Sequence, residues 1–178
     1  MSSALAGLPA LISSLKLDLI YLQEVRMTSE QLKLHVDSLG FDGEVNIDED
    51  NISKPGTALV WRKTLPVTDV VTLVKCRAQV ASLGPYMLLN IYAPSGSDKK
   101  HERNEFFGQK IFNIMSTRAN VSWVMGGDFN FVVQKIDIEG GVGFNQKVCP
   151  AFNDLIKFTG LSDAFRSEYP RKEEYTFF

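Results

Sequence analysis

Val121-Ser122-Trp123-Val124-Met125-Gly126-Gly127-Asp128-Phe129-Asn130 runs an apolar strand into two glycines, then sets a carboxylate and a carboxamide two residues apart. The segment is read as a buried strand that breaks open where Asp128 and Asn130 stand. Glycine permits backbone angles and close approaches that a side chain blocks, and an Asp-x-Asn alternation sends both polar groups the same way from an extended segment. A strand end of that kind suits metal and phosphate chemistry. The plainer reading is a turn, because Asp and Asn bond their own backbone after glycine.

Working outward, Leu17-Asp18-Leu19-Ile20-Tyr21-Leu22 reads as a strand that ends in Gln23-Glu24, so a second carboxylate leaves a second strand end. Taken alone, that Glu is a solvated strand terminus. Met87-Leu88-Leu89-Asn90-Ile91-Tyr92-Ala93-Pro94 is a third apolar strand, closed by Tyr-x-Pro. Tyr92 alone is a half-buried packing aromatic whose hydroxyl reaches water.

The 178 residues suit one domain spanning 1–178, with length enough for a substantial core. A hydrophobic content of 44% and a mean hydropathy of -0.05 describe a soluble globular chain without repeats. Its net charge of -2 gives no broad basic field, so any hold on DNA has to be local or metal-assisted. Cys76 and Cys149 stand far apart with no zinc-site partners and are expected to be reduced structural thiols. Pro9, Lys16 and Asp18 interrupt the apolar character of the first residues, which argues against a signal peptide or membrane span. An intracellular protein is expected.

Leu5, Leu8, Leu11, Ile12 and Leu15 recur at helical spacing and predict a helix over 3–16 that leads into the strand at 17–22. Thr28 with Gln31 forms a capping-box pattern, Leu32, Leu34, Val36 and Leu39 follow, and Gly40 stands where a helix stops. From about 41 to 92 short β-rich runs at 57–61, 67–74, 78–83 and 86–92 predict a mostly antiparallel meander. Helical spacing returns over 98–118 and again over 147–159. Helices flanking two runs of strands imply an α/β fold, a four-layer α/β/β/α sandwich, because both faces of each sheet must be covered. Strand ends converging at one rim would bring Glu24, Tyr92, Asp128 and Asn130 together.

The ordered set Leu22-Gln23-Glu24, Asn90-Ile91-Tyr92-Ala93-Pro94 and Gly127-Asp128-Phe129-Asn130 resembles the endonuclease/exonuclease/phosphatase superfamily of metal-dependent phosphodiesterases and phosphatases. Gly160-Leu161-Ser162-Asp163-Ala164-Phe165-Arg166, Tyr169-Pro170 and Glu174-Tyr175-Thr176-Phe177-Phe178 are similar to the apurinic-endonuclease-like domain of LINE-type retrotransposons. The resemblance implies that Glu24, Asp128 and Asn130 are ligands of Mg²⁺, with Mn²⁺ as the alternative. It further implies that Asp128 handles the attacking water, that Asn130 and Tyr92 stabilise charge on the scissile phosphate, and that Thr176 contacts the DNA backbone. The expected reaction is in-line water attack on a DNA phosphodiester, with no membrane involved and with a nuclear location following from the substrate.

The chain also departs from that pattern. The family's first strand, with its Asn-x-Asn-Gly-like segment, and its terminal Ser-Asp-His have no counterpart, so the domain is expected to be incomplete at both ends. Marginal stability and a slowed, residual nuclease are the expectations, because retained electrostatics cannot replace a missing proton transfer. Ile138 follows Asp137 where retroelement members often carry Asp-Arg, and Ser95 stands in place of an Asn. Asp137 reads equally as a loop cap. Lys99, Lys100, His101 and Arg103 read as a solvated helix face or a phosphate contact, with Arg171 and Lys172 as rival contacts. Two other readings stay open: a remnant that at most binds DNA weakly, and a phosphatase or phospholipase of the same superfamily.

Overall fold

A computed structural model describes residues 7–118, 121–139 and 149–175. They form two compact units, one built on the chain up to Tyr92 together with Val121–Asp128, the other on the chain from Ala93 onward apart from that strand.

The first unit holds two β-sheets. In the first, β1 (Leu19–Val25), β2 (Phe41–Asn46) and β3 (Gly56–Arg62) lie in the order β1-β3-β2, all antiparallel. In the second, β4 (Val67–Val74), β5 (Ala78–Leu83), β6 (Tyr86–Tyr92) and β7 (Ser122–Asp128) lie in sequence order. The pairs β4–β5 and β5–β6 are antiparallel, and β6–β7 is parallel. A parallel pair needs a long crossover, and the chain supplies it through the helical residues after Tyr92.

The strand Gly56–Arg62 is central because Ala58, Leu59, Val60 and Trp61 are apolar in succession, which only a strand covered on both faces tolerates. Its Ala58 and Val60 pack with Ile20, Val25 and Phe41 against Leu8 and Ile12 of α1 (Leu8–Leu15) and Leu32 and Val36 of α2 (Ser29–Val36). On the opposite face Leu59 and Trp61 meet Ala81 and Leu88 of the second sheet. The unit is thus helix on sheet on sheet. Leu32 is fully buried, so Leu32→Ala is expected to cost about 3 kcal/mol in a denaturant melt.

The capping box predicted for α2 is present in both directions, Gln31 N–H donating to the Thr28 hydroxyl and Thr28 N–H to the Gln31 carboxamide. A short 3₁₀ turn follows, and Gly40 ends it in the left-handed region at φ 77°. Thr28→Ala is expected to lower stability by about 1 kcal/mol.

The second unit contains α3 (Lys100–Glu105), a π-helical turn (Phe106–Ile111) and α4 (Phe112–Ser116) in one continuous run, followed by α5 (Pro150–Thr159) and α6 (Ala164–Glu168). An aromatic cluster joins the π-helical turn to α5: Phe107 meets Phe152 edge to face at 5.2 Å and Phe131 at 5.4 Å, and Phe131 meets Phe152 at 4.8 Å.

The architecture is α/β with two sheets and helices, as the sequence predicts, but three local expectations fail. The strand Phe41–Asn46 is absent from the sequence reading because its Asp, Gly, Glu and Asn are poor strand formers; burial of Phe41, Gly43 and Asn46 against neighbours overrides propensity. The meander is not continuous, since β3 pairs within the first sheet and only β4 to β6 run consecutively. The strand carrying the glycines delivers Asp128 at its end as predicted, but it is partly exposed rather than buried, with Val124 44% exposed, because it forms the edge of its sheet. Residues 1–6 and 140–148 lie outside the described residues, so the helices predicted over 3–16 and 147–159 are seen from Leu8 and Pro150.

Candidate active site

One end of the first unit is built differently from the rest of its core. Asn46, Thr57, Gln79 and Asn90 are all buried there, an arrangement that is tolerable only if every polar group finds a partner. They do: the Thr57 hydroxyl donates to Gln79 Oε1 at 3.0 Å, and Gln79 Nε2 donates to the Glu44 carbonyl at 3.1 Å. Asn46 Nδ2 donates to the carbonyls of Val74 and Ala78, and its Oδ1 accepts from Cys76 N–H. Asn90 Nδ2 donates to the Ala58 carbonyl at 2.8 Å and the Leu22 carbonyl at 3.2 Å, while its Oδ1 accepts from Gln23 Nε2 at 2.8 Å. This seam of carboxamides ties sheet to sheet at the end that carries the candidate residues.

Glu24 does not close β1 as the sequence predicts but lies inside it, at a bulge between Gln23 and Val25. Its backbone sits in the left-handed region at φ 58°, which costs an L-residue other than Gly or Asn roughly 1–2 kcal/mol. Strain of this kind persists where a side chain is needed in one direction. That direction is toward Tyr92, whose hydroxyl donates to Glu24 Oε1 at 3.2 Å. Glu24→Asn is therefore expected to hold or raise the melting temperature, since Asn tolerates this conformation, whereas Glu24→Val is expected to lower it.

Tyr92 is buried rather than half-buried, with a relative exposure of 5%. The Arg77 guanidinium lies over its ring, 4.7 Å from the centroid, and Tyr92 N–H donates to the Arg77 carbonyl. Arg77 is the cation that the sequence reading missed. Its signal was present, because extending the β5–β6 register beyond Ala78 and Ile91 sets Arg77 opposite Tyr92.

Asp128 is the last residue of β7 and pairs in register with Tyr92. It is exposed. The two glycines before it are there for close approach: a Cβ on Gly127, at φ 128°, would lie 2.0 Å from the Ile91 carbonyl oxygen, and one on Gly126 would lie 2.7 Å from the Tyr21 ring. Burial pushes the Tyr21 phenol well above its ordinary value, and the neutral hydroxyl donates to the Val124 carbonyl at 3.1 Å. Glu24, Tyr92 and Asp128 thus belong to one unit, with Tyr92 bonded to Glu24 and abreast of Asp128.

Asn130 belongs to the second unit, and its backbone is left-handed at φ 54°, so the Asp-x-Asn segment is not extended as predicted. Its Nδ2 donates to the Ala93 carbonyl at 2.8 Å. The loop after Tyr92 is also gripped by Arg103, which donates to the carbonyls of Pro94 and Gly96. Arg103 is buried, which rules it out as a phosphate contact on a solvated helix face. Asp137 accepts from Gln134 N–H and from Arg166 Nε at 2.9 Å, which is a loop cap completed by a buried ion pair. Lys99 pairs with Glu102 and Lys172 with Glu174. Both cysteines are buried free thiols. Thr176 lies outside the described residues.

Among the described residues no group of three or more His, Cys, Asp or Glu side chains assembles that would cage a metal ion. The donor set nevertheless fits Mg²⁺, which takes oxygen ligands, is commonly held by one or two carboxylates, and fills its other positions with water and substrate phosphate. Glu24 and Asp128 are the residues that would hold it. A separate cleft of about 340 Å³ between β2–β3 and β4–β5, lined by Glu44, Trp61, Asp69 and Gln79 among others, includes none of the candidate residues. No helix among the described residues is long and apolar enough to cross a membrane.

No known family model matches the sequence. Solved structures do match. An AP endonuclease from Archaeoglobus fulgidus superposes with a TM-score of 0.80 at 16% identity, over 98% of this chain and 72% of that one. The AP endonuclease LMAP from Leishmania major gives 0.69 at 17% identity, over 93% of this chain and 64% of that one. The 3'-5' exonuclease NExo from Neisseria meningitidis gives 0.76 at 20%, over 93% of this chain and 70% of that one. At such identities likeness speaks of architecture: this chain has the two-sheet α/β sandwich fold of these solved structures.

Proposed function

We propose that this protein is a Mg²⁺-dependent phosphodiesterase that cleaves DNA, of the LINE or apurinic-endonuclease type, with Mn²⁺ as the alternative metal. The observation that carries the reading is Glu24, held at a strained φ of 58° with its carboxylate bonded to Tyr92, the residue that pairs in register with Asp128 at the end of β7. Backbone strain of this kind is kept where a side chain has a functional task, and holding a metal is such a task.

The bound metal would supply Lewis acidity to a phosphoryl oxygen. Asp128 orients the attacking water and takes its proton. With a phosphodiester bound, the single Tyr92 hydroxyl turns from Glu24 to a non-bridging oxygen, where negative charge grows in the transition state, and the Asn130 carboxamide is assigned the same stabilising task. Arg77 adds positive potential beside Tyr92, and Thr176 contacts the DNA backbone. A DNA substrate carries with it a nuclear location.

A second reading, a phosphatase acting on DNA ends, has the support of a second structure of Neisseria NExo, there a 3' phosphatase bound to product DNA hairpin, with a TM-score of 0.75 at 19% identity. A substrate panel separates the readings. The purified chain, with Mg²⁺, is offered a duplex with one abasic site, a duplex with a 3'-phosphate, an intact duplex and a soluble inositol phosphate. Cleavage beside the abasic site is the expected result. Release of phosphate from the 3' end alone would favour the phosphatase, and turnover of the inositol phosphate alone would remove DNA as the substrate.

A further inference from the structure

Glu24 is exposed, sits on a strained bulge and accepts from the Tyr92 hydroxyl, so the bulge itself must be held by its neighbours. Those neighbours are amides. Asn90 is fully buried and lies two residues before Tyr92 on β6, so its side chain shares a face with Tyr92. It spans the gap between the sheets, donating to the Leu22 carbonyl on β1 and the Ala58 carbonyl on β3, and accepts from Gln23, the residue immediately before Glu24. Two successive residues of β1 are thereby fastened, one through its carbonyl and one through its side chain, just where the register shifts.

We infer that the Gln23–Asn90 pair is a positioning device that fixes the bulge of β1 so that Glu24 faces Tyr92, and that its contribution to function passes through Glu24. The inference rests on the reading of Glu24 as a metal ligand for its functional consequence, but not for its geometry. Both members are positioning residues and neither touches substrate. The argument is one of connectivity and stiffness. A buried carboxamide with its donors and acceptor satisfied at 2.8–3.2 Å has one orientation, and a buried network of that kind is rigid. An apolar side chain at position 90 would fill the same space without holding β1 to β6.

The test is made on the full chain with 3-fluorotyrosine in place of tyrosine, the Tyr92 fluorine signal being identified by its loss in Tyr92→Phe. Glu24→Gln defines where that signal lies when the carboxylate is removed. Gln23→Met, which keeps side-chain length at a half-buried position, is expected to move the Tyr92 signal toward the Glu24→Gln position and to leave the other four of the five tyrosines in place. It is also expected to weaken Mn²⁺ binding, followed by electron paramagnetic resonance, about tenfold, as loss of a supporting hydrogen bond to a ligand typically does. Asn90→Leu, similar in volume, removes the acceptor for Gln23 and the donations to β1 and β3, and provides the same readings if Gln23→Met fails to fold. A Tyr92 signal unchanged from wild type in the folded variant overturns the inference, as does a shift shared by all five tyrosines, which would mean general loosening. A shift confined to Tyr92, with Mn²⁺ binding indifferent to Glu24→Gln, sustains the positioning role and removes the metal from the proposed function.

Discussion

Asp128→Ala is expected to slow Mg²⁺-dependent cleavage of DNA about a thousandfold while leaving the thermal unfolding midpoint within a few degrees of wild type. The magnitude is that of losing a positioned acid/base group, which typically contributes two to four powers of ten. The stability expectation follows from place: Asp128 is an exposed residue at the end of β7, and exposed positions away from caps and cores seldom exceed about 1 kcal/mol on substitution. Single-turnover cleavage and a melt on the same sample check both halves. A loss of activity matched by a collapse in stability would make Asp128 structural.

Gly127→Ala carries the largest expected effect on folding, about 3 kcal/mol or more. The added Cβ would stand 2.0 Å from the Ile91 carbonyl oxygen and 2.9 Å from its carbonyl carbon, both backbone atoms of the paired strand, and φ 128° is ground that only glycine occupies freely. Relief requires β6 and β7 to separate at the point where Tyr92 and Asp128 lie abreast. Gly126→Ala is the control. Its Cβ meets the Tyr21 ring at 2.7 Å, a side chain that can swing, so a smaller loss is expected. Equilibrium denaturation of the two variants, side by side, orders them; equal losses would mean that the Ile91 backbone yields as readily as a ring.

Periodicity and punctuation made most of the fold legible. The spacing of Leu32 and Val36 behind Thr28 and Gln31 predicted a capped amphipathic helix, and the caps are found bonded as drawn. The run at 57–61 was legible as a strand, though not that both its faces are covered. What escaped was decided by tertiary context. The strand Phe41–Asn46 is made of residues that disfavour strands and is held by pairing with β3 and by packing under α2. Glu24 looked like a strand terminus because a bulge leaves no mark in a sequence without glycine; the register shift is visible only once β3 is laid beside β1.

The site was legible as a set of residues more than as an arrangement. Glu24, Tyr92 and Asp128 were singled out from strand ends, and register explains why Tyr92 and Asp128 share a level. The carboxamide seam was not foreseen, because Asn90 and Gln79 in apolar strands look like interruptions until the opposite sheet supplies their partners. Arg103 was misread for a related reason. A charge at the start of a helix usually faces water, but this guanidinium is turned inward to the carbonyls of Pro94 and Gly96.

The measurement that bears most directly on the proposed chemistry is nicking of supercoiled plasmid by the purified 178-residue chain in Mg²⁺ and in EDTA, with Asp128→Ala prepared in parallel. Nicking that requires the metal and is lost in the variant is the predicted result. Folded wild-type protein that nicks no faster than Asp128→Ala in Mg²⁺ would contradict it and leave a sandwich of this fold without the phosphodiesterase activity assigned to it.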